Sequence, residues 1–136
     1  MTVLWTCADC ARSFTRINQR HACGVGDRRT VLRGRPDGLV QIYDAIEAFV
    51  TSLGPVEKVA RDRYVLLRSV RVFADLVVMR DAVRLAIHLQ RDVQDDRFFK
   101  VVSDQKRVTA VAKLFTVEDW VALQEYVREA YQTSLR

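Results

Sequence analysis

The three cysteines of this chain, Cys7, Cys10 and Cys23, stand within its first 24 residues, together with His21, one of its two histidines. Thiolate and imidazole are the ligand types zinc prefers. Four of them in a closed tetrahedron make a structural site with no position left open for catalysis. Cys7-x2-Cys10 supplies two thiolates in one tight turn, and after ten intervening residues His21-x-Cys23 supplies the second pair. An odd cysteine count excludes a complete disulfide framework within one chain, and clustered thiols beside a histidine suit a metal in a reducing compartment. Unligated buried or reactive thiols are the alternative. They account less well for four ligand-type residues at workable spacing. The pattern predicts a structural Zn2+ held by Cys7, Cys10, His21 and Cys23.

That site constrains the local chain. Residues two apart on a helix point to nearly opposite sides, so His21 and Cys23 cannot both bind from helical turns. A short helix through "TRINQR" is expected to end at His21, with Cys23 in the next turn and Gly24 in a left-handed conformation. Trp5 and Phe14 are the expected apolar plugs, with Ile17 on the inner face of the helix. A module this small draws much of its folding energy from the metal. The outer side of the helix would present Arg16, Asn18, Gln19 and Arg20, whose guanidinium and amide groups can meet phosphates or base edges. Arg28 and Arg29, with Arg33 and Arg35, would extend a basic arm for backbone contact.

The charge distribution agrees with that reading. The chain carries a formal net charge of +5. Residues 1–36 hold Arg12, Arg16, Arg20, Arg28, Arg29, Arg33 and Arg35 against Asp9 and Asp27, which accounts for the whole excess. A basic segment on a neutral remainder points to a polyanion, so DNA or RNA is the leading expected partner.

A second chemistry is written further along. Asp104-Gln105-Lys106 satisfies the D-x-K part of a metal-nuclease motif, with Asp92, Asp95 and Asp96 upstream. Paired carboxylates can hold Mg2+ while a lysine steadies the attacking water. The motif is short, lies in a polar stretch before a strand, and reads better as a solvated turn. No P-loop, serine elbow or H-E-x-x-H signature accompanies it. The reading is therefore a binding protein and not an enzyme. Its alternative is a protein or small-ligand binding domain with a purely structural zinc.

The elements that must position these groups follow from hydropathy. The 136 residues suffice for one domain with a small appendage, and 49% hydrophobic residues supply one core. No run of eighteen apolar residues exists, so no membrane span is expected, and "MTVLW" lacks the pattern of a signal peptide. The expectation is a soluble, cytoplasmic protein. The chain divides into a CCHC-type finger (1–24), a basic linker rich in Gly, Arg and Asp (25–36) and a body (37–136).

In the body, Asp37 is the expected cap of a helix whose apolar face is Leu39, Ile42, Tyr43, Ile46, Phe49, Val50 and Leu53, ended by Gly54-Pro55. Four strand-like runs follow: "RYVLLRSV", "RVFADLVVMRD", "AVRLAIHLQ" and "KRVTAVAKLF". In the third, Val83, Leu85, Ile87 and Leu89 point one way and Arg84, Ala86, His88 and Gln90 the other. His88 there reads as an ordinary surface or interface residue. A last helix is capped by Thr116 and buries Trp120, Leu123, Val127 and Tyr131. The economical fold is α+β: an N-terminal zinc finger, then a two-layer domain of helix, four-strand antiparallel meander and helix. The exposed sheet face, with Arg84, His88 and Gln90, would be plain solvated surface, a ligand floor or, like the helices, a homodimer surface.

The set Trp5, Cys7, Cys10, Arg12, Phe14, Asn18, Gln19, His21, Cys23 and Gly24 resembles an uncharacterised bacterial family that joins such a finger to a domain of unknown function. The leading helix, the "YVLLR" and "RVFA" strands and the terminal "VEDW" helix are similar as well. The resemblance implies a zinc finger on an α+β body and supplies no reaction, substrate or catalytic residue.

Overall fold

In the computed structural model, the residues described are 5–6, 13–17, 31–61, 64–104 and 107–136. Two short strands, β1 (Trp5–Thr6) and β2 (Ser13–Phe14), pair antiparallel with Trp5 opposite Phe14. Residues 15–17 form a bend and turn, not the expected start of a helix, and Ile17 is 68% exposed instead of facing inward.

The body is α+β. Helix α1 (Asp37–Leu53) buries Leu39, Ile42, Tyr43, Ile46 and Val50. Pro36, not Asp37, holds its N-cap position; the Pro36 carbonyl accepts from the Leu39 and Val40 amides, and Asp37 lies in the first turn. Proline is tolerated at this place because an N-cap residue needs no N–H for the helix ladder, so its missing donor costs nothing. Gly54 ends the helix at φ +146°, and a Cβ there would collide with the Tyr131 hydroxyl. Glycine is required at this position both for its backbone and for the close approach.

Six strands follow, not four: β3 (Glu57–Arg61), β4 (Tyr64–Arg68), β5 (Val72–Val78), β6 (Val83–Leu89), β7 (Lys100–Asp104) and β8 (Arg107–Leu114). They form one antiparallel sheet in the order β3-β4-β5-β6-β8-β7. The two strands absent from the sequence reading are the two edges. An edge strand needs little apolar patterning, and "EKVAR" and "KVVSD" show little. The sheet also departs from a meander, because the segment after β6 passes to the far edge and β8 returns between β6 and β7.

Helix α2 (Val117–Ser134) is capped as expected. The Thr116 hydroxyl accepts from the Asp119 amide (3.2 Å), and the Asp119 carboxylate accepts from the Thr116 amide (3.1 Å). It buries Trp120, Leu123, Val127, Ala130 and Tyr131 against α1 and one sheet face. That face is built from Val65, Leu67, Leu76, Leu85, Ile87, Ala110 and their same-parity neighbours. Trp120 meets Phe49 of α1 edge-on at 5.5 Å. A register shift between β4 and β5 leaves Phe73 as an extra residue, a bulge that turns its ring into the core, edge-on to Tyr131 at 5.4 Å. Val31 and Leu32, within the stretch read as linker, are helical and buried in this same core.

Candidate functional site

The body's charges sum to nearly nothing, but its two layers divide them. The helices carry Asp37, Asp44, Glu47, Glu118, Asp119, Glu125 and Glu129 against Arg128 alone. The strands carry seven basic residues against Glu57, Asp75 and Asp104. Register explains the division. Positions facing α1 and α2 are apolar, so charge is confined to the opposite parity, where Arg68, Arg84, Arg107 and Lys113 stand with Lys100. Lys58 has the inward parity, opposite Leu67, and its ammonium reaches Glu47 of α1 at 3.9 Å. Among the described residues Arg68, Arg84, Lys100 and Arg107 make no ion pair and no side-chain hydrogen bond, and Lys113 lies over the Phe99 ring at 5.5 Å. Exposed Tyr64 and Val102 share this face. The arrangement is a half-exposed platform with cations free to meet an anion.

Near its centre lies a polar pair. His88 Nε2 is 3.4 Å from an Asp75 carboxylate oxygen, and His88 Nδ1 is buried without a partner among the described residues. His88 is thus tied to a carboxylate, which the sequence reading did not foresee, because Asp75 sits on the neighbouring strand. Where β6 ends and β8 begins, a cleft of about 670 Å³ opens between the sheet and the last turn of α2. Its polar lining is His88, Gln90, Asp104 and Arg107 at the strand ends with Arg71, Thr133 and Ser134. Arg71 donates to the Thr133 carbonyl at 3.0 Å, and the hydroxyls of Ser69 and Ser134 are hydrogen-bonded to each other.

The carboxylates of the candidate nuclease site do not converge. Asp95 is held by Arg97 in a two-pronged bond (2.6 and 2.8 Å) and accepts from the Tyr126 hydroxyl at 2.9 Å. Arg97 keeps its carboxyl far below the ordinary carboxylate range, while burial, followed by the bond to Asp95, raises the Tyr126 phenol. Arg97 also donates to the Ala122 carbonyl, and Arg91 grips Glu129 in a bidentate pair. These contacts fasten the segment between β6 and β7 onto α2, with Phe98 edge-on to Tyr126. Asp92 accepts from Ser103, Asp96 is exposed, and Asp104 ends β7; Gln105 and Lys106 lie outside the described residues. Among the described residues no three His, Cys, Asp or Glu side chains come together.

Of the finger, Arg16 is described and exposed. The four ligand candidates Cys7, Cys10, His21 and Cys23 lie outside the described residues, as do Asn18, Gln19, Arg20, Arg28 and Arg29. The described hairpin brackets the first pair in sequence, with β1 just before Cys7 and β2 just after Arg12. Arg35 donates to the Val78 carbonyl at 3.3 Å and so rests on the body. Arg68, Arg107 and Lys113 were missed by the sequence reading. Their signal was parity: Arg107, Thr109 and Lys113 alternate with Val108, Ala110, Ala112 and Leu114, but only the pairing shows that they share a face with Arg84.

Among the described residues no helix is long and apolar enough to cross a membrane. No curated protein and no solved structure matches the chain. The residues from just before Val31 through the end of α2, the span that closes the core, are those a family profile matches, at 29–134, and the chain belongs to that family, Domain of unknown function (DUF5655).

Proposed function

We propose that the protein is a non-catalytic nucleic-acid-binding protein. The observation that supports this most directly is the row of cations, without an ion pair among the described residues, on the sheet face turned away from the helices. A phosphate backbone is bound by such groups through release of its counterions. The acidic helical layer on the other side would repel the same polyanion and so orient it. A zinc-stapled finger, with Cys7, Cys10, His21 and Cys23 as ligands, adds Arg16, Asn18, Gln19, Arg20, Arg28 and Arg29 to the contact. Zinc, when bound, supplies folding energy to the finger. A reducing, cytoplasmic setting would keep its thiols available.

The test is anisotropy of labelled single- and double-stranded DNA and RNA across a salt series. Two variants accompany the wild type, one with Arg84, Arg107 and Lys113 changed to alanine and one with Arg16, Arg20, Arg28 and Arg29 changed. We expect binding whose log–log salt slope shrinks by about 2 in the face variant. Absence of binding at low salt would remove the proposal, and an unaltered face variant would move the contact to the finger alone.

The cleft supports a second reading, a small polar ligand held among Arg71, Gln90 and Arg107, which all line it. It has the size of a ligand pocket, with few convergent polar groups. Absence of nucleic-acid binding by the wild type at low salt, with thermal stabilisation by a small anion, would favour it.

A further inference from the structure

The sheet has two edges of different character. On β3, Val59 and Ala60 are half-buried. On β7 every residue is exposed, and Val101 and Val102, with neighbouring Phe99, show 41, 44 and 54% of their surfaces. An exposed apolar edge is a template for another strand unless something covers or blunts it. The ladder with β8 fixes what β7 offers. Asp104 and Arg107 close a hairpin with two residues between them, and such a closing pair exchanges both backbone hydrogen bonds. Alternation makes Val102–Thr109 and Lys100–Val111 the next pairs of that kind. The N–H and C=O groups of Val101 and Ser103 are therefore turned to the open edge.

We propose that β7 is a homodimer seam, in which two copies pair β7 against β7, antiparallel, about a two-fold axis at Val102. In that register Val101 faces Ser103 of the partner subunit, so the edge-facing groups of each strand meet those of the other. Lys100 faces Asp104 of the partner subunit, and the same pair recurs across the axis. Registers centred one residue away leave Lys100 opposite a valine or beyond the strand, so only this one uses all five residues and both charges. Neither Lys100 nor Asp104 is held in an ion pair among the described residues. Directly opposed residues share a sheet face, so the join also makes one continuous platform of the Arg84, Arg107 and Lys113 rows of both copies. The seam is one strand wide, which places the dimer among weak, concentration-dependent contacts. It stands independently of the nucleic-acid reading.

Sedimentation of the full chain from about 1 µM to about 1 mM tests it. We expect reversible dimerisation, weakened about tenfold or more by Lys100→Glu or by Asp104→Lys, because each puts like charges opposite one another twice. The double variant exchanges the charges and should recover dimerisation to within a few fold. Amide hydrogen exchange gives a readout that needs no substitution. Val101 and Ser103 amides should gain protection as concentration rises, while Val102 and Asp104 amides, bonded within the sheet, stay protected throughout. A chain that remains monomeric at the highest concentration would overturn the proposal. So would a dimer indifferent to both single charge reversals, or one without new protection at Val101 and Ser103.

Discussion

Asp95 shows how little a residue's type reveals of its work. In the sequence it is one of three acids in "RDVQDDR", a plausible ligand for a divalent ion. In the fold it is the knot that fastens a segment to α2, through Arg97 two residues on and Tyr126 on the helix. Its carboxyl is depressed chiefly by the bond from Arg97. A carboxyl whose folded pKa lies below its unfolded value contributes stability that is present above the unfolded value, and loses it as pH falls toward the folded one. The wild type should therefore destabilise as pH drops below about 4. Asp95→Asn should have a lower melting temperature at neutral pH and a flatter acid limb, measured by thermal melts from pH 7 to 2. Equal acid slopes in the two proteins would show that the knot carries no such linkage. Arg97 is as near in sequence to Asp96 as to Asp95, and Tyr126, which ties Asp95 to α2, is far away in the chain, so nothing local in the sequence distinguishes Asp95 from Asp92 or Asp96.

At the scale of elements, legibility follows burial. Both helices and the four inner strands were readable because each buries a periodic apolar face, and the Thr116 cap because its partner Asp119 is three residues away. The edges β3 and β7 were not readable, since a strand bonded on one side is held largely by its neighbour's backbone. The Phe73 bulge was hidden for a related reason: two consecutive buried residues read as a simple apolar run until the pairing is known. Gly54 was legible as a helix end, but its second constraint was not. The Tyr131 hydroxyl occupies the space of a Cβ, and the two residues meet only because α1 and α2 pack together. Gly54→Ala should lower stability by about 2–3 kcal/mol, from the clash together with the unfavourable φ. In a denaturant series, Gly54→Ala combined with Tyr131→Phe should recover the part due to the clash and none of the part due to φ. A double variant no better than the single would assign the whole cost to the backbone.

At the scale of the molecule, the neutral body concealed a separation of charge that summation over the sequence could not reveal. Strand parity placed the bases outward and the helices carried the acids. Packing likewise sets where the body begins. Composition drew that boundary at Asp37, after a stretch rich in glycine and arginine, because two apolar residues among charges carry no periodicity. Val31 and Leu32 are nevertheless 0 and 8% exposed within the core. A fragment of residues 29–136 should therefore melt within a few degrees of the full chain, with or without a zinc chelator. A fragment of residues 37–136 loses both side chains and uncovers what they cover, at about 3–5 kcal/mol. For a domain of this size that amounts to a drop in melting temperature of ~10 °C or more. If the shorter fragment melts like the longer one, Val31 and Leu32 only rest on a core that is complete without them. If both fall together, the first 28 residues are part of the body's stability and the finger is more than an appendage.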